Sequence, residues 1–258
     1  MRFGYVDVPG GQVHFRQCGS TGPWLFLLHQ TPLSSRIYER VLPLLGSASQ
    51  AVAFDTPGYG QSTALDGLPT VTGYAARLLE AIDTFTDGPF AIAGIATGSA
   101  VALEIARLSG ERVTHAVFSS MPLLSTKRMA HFAGTLGQPE VKSDGSHLMQ
   151  LWQSRLRTLG GSDIDQTMMS VSETLRVYDR YNWGQQAVAR HDVRSALTEV
   201  PCPMLFLSAE HDNLAPETRE AASLALHGLF KVVAGGRQQL CWTDPESYVR
   251  EVLAFLAG

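Results

Sequence analysis

The sequence predicts an α/β protein whose mostly parallel sheet is covered by helices on both faces. Three observations carry that expectation. Short apolar runs such as Trp24-Leu25-Phe26-Leu27-Leu28 read as strands buried on both faces. They alternate with segments of helical hydrophobic spacing, as crossover connections require. A helical, strand-free stretch over 123–198 interrupts this alternation once, after which it resumes.

The first 18 residues alternate apolar and polar around Pro9-Gly10-Gly11, the pattern of a β-hairpin. Trp24–Leu28 is the first buried strand. Ser34–Gly46 has helical spacing through Ile37, Val41, Leu44 and Leu45, and Ala51–Asp55 is a strand ending in a Pro-Gly turn. A helix over Tyr74–Phe85, a strand over Phe90–Ile95, a helix over Gly98–Leu108 and a strand over Val113–Ser119 follow. Beyond the insertion come strand Met204–Ser208, helix Glu217–His227, strand Phe230–Ala234 and helix Pro245–Leu256. The expected organisation is a core of residues 1–122 and 199–258 with a helical lid, 123–198, inserted after the sixth strand.

The 258 residues carry 20 Lys+Arg and 24 Asp+Glu, a formal charge of −4, and 45% are hydrophobic. Such a balance offers no basic face for a polyphosphate backbone, so nucleic acid is not an expected partner. The longest apolar runs are five or six residues, far short of the ~18–20 needed to cross a bilayer. The start, Met1-Arg2-Phe3-Gly4-Tyr5, has no apolar signal core. Cys18, Cys202 and Cys241 are widely spaced and odd in number, the pattern of reduced thiols in a cytoplasmic protein rather than of a disulfide frame or a zinc site.

Four motifs lie in order along the chain: His29-Gln30-Thr31-Pro32 after the third strand, Asp55-Thr56-Pro57-Gly58-Tyr59-Gly60-Gln61-Ser62, Gly94-Ile95-Ala96-Thr97-Gly98 between a strand and a helix, and Glu210-His211-Asp212 after the strand that follows the insertion. Together they resemble the α/β-hydrolase superfamily, which implies an eight-stranded, mostly parallel sheet. The resemblance further implies that the backbone N–H groups of Thr31 and Thr97 form an oxyanion hole, that Ala96 occupies the nucleophile position of the Gly-x-Ser-x-Gly elbow, and that Asp212 is the acid.

The departures from that pattern bear on function. Ala96 has no proton to lose and no lone pair, and Ser99, three residues on, lies inside the helix. The superfamily's histidine, about eight residues before a Pro near the C-terminus, falls here on Arg237 in Gly236-Arg237-Gln238-Gln239. The last histidine, His227, precedes the final strand. A nucleophile mutated to trap substrate would leave its histidine in place, so loss of both favours a naturally altered site. Acyl transfer by a Ser–His–Asp triad is not expected.

Candidate functional residues follow. Asp212 and Arg237 are expected to form an ion pair, with Arg237 turned toward a ligand anion as the alternative. His29 is expected to shape the oxyanion loop, and is an acid or base only if it faces a pocket. Gln30 and Gln238 are candidate ligand donors, and Trp152, Tyr178 and Trp183 of the lid are candidate contacts for an apolar or aromatic ligand. No cofactor or metal is expected. The first functional reading is a non-covalent enzyme (lyase, isomerase, decarboxylase or water-mediated hydrolase) acting on a small apolar or aromatic carbonyl compound. A ligand-binding protein on a hydrolase scaffold and an inactivated esterase are the alternatives.

Overall fold

The computed structural model describes residues 1–123, 140–159 and 163–258. Parts of the expected insertion, 124–139 and 160–162, thus lie outside the described residues. An eight-stranded sheet runs through the molecule in the order β1-β2-β4-β3-β5-β6-β7-β8. β1 (Arg2–Val8) and β2 (Gly11–Cys18) form the expected hairpin, turning at Pro9-Gly10, and β2 pairs antiparallel with β4 (Gln50–Phe54). β3 (Trp24–Leu28), β4, β5 (Phe90–Ile95), β6 (Val113–Ser119), β7 (Met204–His211) and β8 (Gly228–Arg237) are parallel.

β5 is buried at all six positions because helices cover both faces of the sheet, which removes the alternation of a one-sided strand. Two apolar clusters follow, one on each face. The first includes Phe26, Phe54, Phe90, Phe118 and Phe206; the second includes Leu25, Leu27, Ile37, Leu205 and Tyr248.

The expected helix over Ser34–Gly46 is instead a 3-10 turn, Ser35–Tyr38, and a single-turn helix α1, Leu42–Leu45. Pro43 explains the break: it has no N–H to continue a ladder and is tolerated only in a helix's first turn, where it lies. α2 (Val71–Asp83) begins three residues earlier than the spacing suggests, because the Thr70 side chain accepts the N–H of Gly73. α3 (Thr97–Ser109) packs against β5, and between β6 and β7 the described residues form α4 (Ser146–Thr158), α5 (Ile164–Arg176), α6 (Trp183–Ala189) and α7 (Val193–Glu199) with no strand. After β7 come α8 (Ala215–Leu224), then β8, a short α9 (Leu240–Thr243) and α10 (Pro245–Leu256). No helix is long and apolar enough to cross a membrane among the described residues.

Candidate active site

The site begins at the junction of β5 and α3. Ala96 bridges them at φ 49°, ψ −117°, a conformation that L side chains rarely adopt. A Cβ on Gly94 would meet the Gly98 carbonyl, and one on Gly98 would meet the Leu28 carbonyl at the end of β3. Only glycines fit on either side of the turn. The Ala96 N–H donates to Ser119 O at 2.9 Å, and its carbonyl accepts the Ser99 N–H at 2.9 Å. Ser99 is buried and its hydroxyl donates to Ser119 O at 2.9 Å.

Thr31 follows β3 in the loop that faces this elbow. Its N–H donates to Thr97 Oγ1 at 2.7 Å, and its own hydroxyl donates to the same oxygen at 3.1 Å. The expectation of two open N–H groups converging near Ala96 is corrected here. The residue after the elbow carries a hydroxyl that reaches the first of the two donors and occupies it. The Gln185 amide donates to Thr31 O at 3.1 Å, tying the loop to α6.

His29 lies behind this loop and is fully buried. Its Nδ1 donates to Gln30 O at 2.9 Å and its Nε2 accepts the Thr56 N–H at 2.8 Å, so one neutral tautomer satisfies both partners. Burial, opposed only in part by the nearby Asp55 charge, lowers its pKa. Both ring nitrogens are thus engaged by backbone groups of the two loops that the ring joins. Asp55 is held by His14 Nδ1 at 2.9 Å, the Ser35 N–H at 2.7 Å and the Gln61 N–H at 2.9 Å. Burial works to raise its carboxyl, but the His14 hydrogen bond, the His29 charge and the Ser35 contact outweigh it and bring the pKa to about 2.

Asp212, just past β7, is buried and accepts three donors: Ser120 Oγ at 2.6 Å, the Leu214 N–H at 2.9 Å and Gln238 Nε2 at 3.2 Å. The expected Arg237 partner is replaced by its neighbour. Arg237 still belongs to β8, opposite His211, and is exposed. Side chains alternate along a strand, so Arg237 and Gln238 leave it toward different sides. Gln239 adopts φ 63° at the start of α9 and its Oε1 accepts from Gln166 Nε2 at 2.7 Å. Cys241 is buried in the second apolar cluster, and that burial pushes its thiol pKa up.

A cavity of about 260 Å³ opens over the elbow. Of the residues singled out in the sequence, Gln30, Thr31, Ala96, Thr97 and Gln238 line it. His29, Asp212 and Arg237 do not; Arg237 borders an adjoining hollow with His211 and Asn213, which shares Gln238 with the first. The three aromatics also miss the cavity. Trp183 packs against the first apolar cluster, Tyr178 is 47% exposed, and Trp152 is half-buried on α4. The structure supplies instead Arg155, Ser170, Tyr181 and Gln185, none of which was apparent from the sequence. Arg155 lies three residues from Trp152 on the same amphipathic helix, where helical spacing alone reads it as a solvated charge. Among the described residues, no group of three His, Cys, Asp or Glu side chains is arranged to hold a metal.

Residues 18–251 match the model of the alpha/beta hydrolase family. The chain belongs to that family. It is 25% identical over 262 residues to an (E)-2-((N-methylformamido)methylene)succinate hydrolase of Acinetobacter baylyi, covering 94% of this chain and 93% of that one. It is also 26% identical over 256 residues to the biotin biosynthesis bifunctional protein BioHC of Cellvibrio japonicus. That match takes in 91% of this chain but only 48% of the relative, so the chain spans about half of its length. The enol-lactonase of Burkholderia xenovorans LB400 superposes with a TM-score of 0.80 at 17% identity, over 99% of this chain and 100% of that one, a likeness of fold. In this alpha/beta hydrolase the turn between β5 and α3 carries Ala96 flanked by Gly94 and Gly98, and Gln238 and Gln239 follow β8.

Proposed function

We propose that this chain acts on a small carbonyl compound without forming an acyl-enzyme, through lyase, isomerase, decarboxylase or water-mediated hydrolytic chemistry. One observation carries the reading. Among the described residues, no histidine, carboxylate or thiol lines the cavity over Ala96. The hydroxyls there have no general base among the described lining residues to activate them, and an unactivated hydroxyl is a weak nucleophile. The substrate carbonyl is received instead at the start of α3. Thr97 Oγ1 accepts the Thr31 N–H and hydroxyl, which leaves its own proton to donate onward, in a chain of bonds that polarise one another. The first N–H groups of α3 and its dipole add positive potential at the same place. The helices between β6 and β7 act as the lid. Hydrolase and esterase relatives support a small-molecule substrate, and the free thiols Cys18, Cys202 and Cys241 support a cytoplasmic setting.

A second reading, a pure ligand-binding protein, is favoured by a different observation. The Thr31 N–H is already taken by Thr97, whereas catalysis by an oxyanion hole relies on donors free and aimed in advance. Incubation with a library of small carbonyl compounds separates the two, with binding and product formation measured in parallel. The first reading expects at least one compound to be turned over with no covalent adduct on the protein. Binding without turnover throughout would replace it with the second.

A further inference from the structure

Arg155 is the one charged residue among the described residues that line the cavity. It has no counter-charge. No ion pair to it forms among the described residues, and the segments outside them, 124–139 and 160–162, contain no Asp or Glu. The contrast with nearby arginines is direct: Arg36 pairs with Glu173 at 3.1 Å and Arg40 with Asp163 at 3.1 Å. Arg155 is held by neutral groups instead. Its Nη2 donates to Tyr181 Oη at 2.9 Å and to Thr174 Oγ1 at 3.4 Å, and the guanidinium lies 5.6 Å from the Tyr181 ring centroid. Its Nε is buried with no hydrogen-bond partner. A half-buried cation with a buried, unmade donor is costly unless an anion completes it.

We propose that Arg155 is the anion-recognition residue of this cavity, and that the ligand carries a carboxylate in addition to the carbonyl received at Thr97. A planar guanidinium with hydrogen-bond donors to spare matches the two oxygens of a carboxylate. Tyr181 and Thr174, from the segment after α5 and from α5 itself, hold the guanidinium by Nη2. The cavity volume is at the small end of ligand sites, which confines the ligand to a compact acid. The inference rests on the cavity being the ligand site, as the functional reading has it.

The test is binding alone, so that its outcome is independent of turnover. Succinate, benzoate, their neutral methyl esters and inorganic phosphate are titrated against the full chain and its Arg155→Gln and Arg155→Lys variants, each checked for folding by thermal denaturation. The expected result is a carboxylate bound at least tenfold more tightly than its ester, a preference that Arg155→Gln abolishes without changing ester affinity. Equal binding of acid and ester, binding of phosphate alone, or a variant that weakens both equally would overturn the proposal. If Arg155→Gln does not fold, Arg155→Lys carries the test: loss of the planar fork should reduce the preference at least threefold, and an unchanged preference would overturn it. A covalent adduct or an absence of product bears on the functional reading and leaves the carboxylate preference to stand or fall by itself.

Discussion

The backbone N–H of Thr31 donates to the side-chain oxygen of Thr97 at 2.7 Å, so the two residues expected to form an open oxyanion hole are bonded to each other. Thr97→Val keeps the shape and removes the acceptor. The buried N–H of Thr31 is then unmatched, and we expect a stability loss of about 1–3 kcal/mol together with weaker ligand binding. Thr97→Ser retains the oxygen and should stay within a fraction of that loss. Chemical denaturation of both variants checks this; equal stability of Val and wild type would mean that the contact contributes nothing.

Ala96→Ser places a hydroxyl at the elbow with no base beside it among the described residues, because Gln238 binds Asp212 and Gln239 binds Gln166. We expect no gain in ester hydrolysis from this single change. A clear rise in turnover of activated esters would show that the chain is an esterase disabled at one residue.

Ala96 holds a positive φ without being glycine, a conformation that costs on the order of 1–3 kcal/mol. Ala96→Gly relieves that strain and gives back part of it through the freer unfolded chain, leaving an expected gain of about 1 kcal/mol. A destabilised glycine variant would contradict the strain.

His29 and Asp55 make stability depend on acid in two windows. His29 has its pKa lowered by burial, so its contribution is complete above the unfolded value of about 6.5 and declines as pH falls below it. Asp55, brought to about 2, contributes above its unfolded value of about 3.9 and loses that contribution as pH falls toward 2. The second effect is worth about 2.5 kcal/mol. His29→Gln can still accept the Thr56 N–H and should remove its share of the upper window, whereas His29→Ala should cost about 2–4 kcal/mol at neutral pH by leaving two buried backbone groups unmatched. Melting temperatures from pH 8 to pH 3 check both; an unchanged upper slope in His29→Gln would refute the assignment.

Much of the scaffold is legible in the residues. Val113–Ser119 and Pro245–Leu256 have the boundaries that their apolar spacing and capping signals indicate, with Asp244 accepting the Ser247 N–H at the second. The elbow is legible because Gly94 and Gly98 are required by close backbone approach. The partner of Asp212 is not, since counting residues back from Pro245 cannot register the irregularity between Ala209 and His211 in the β7–β8 pairing, or that β8 runs on to Arg237. A shift of one residue there changes which side chain faces the carboxylate. The pairing of Arg155 with Tyr181 is not legible for another reason. They become neighbours only when two segments between β6 and β7 fold together, and neither belongs to a local motif. Tyr178 and Trp183 bracket Tyr181 in sequence, yet turn to solvent and to the core.

On the proposed function, the cavity over Ala96 works without covalent capture. Intact-protein mass spectrometry after exposure to a panel of activated esters tests it most directly, with any adduct mapped by peptide sequencing. An unmodified mass is expected at the cavity residues. An acyl group on Thr31, Thr97, Ser170 or Tyr181 would contradict it.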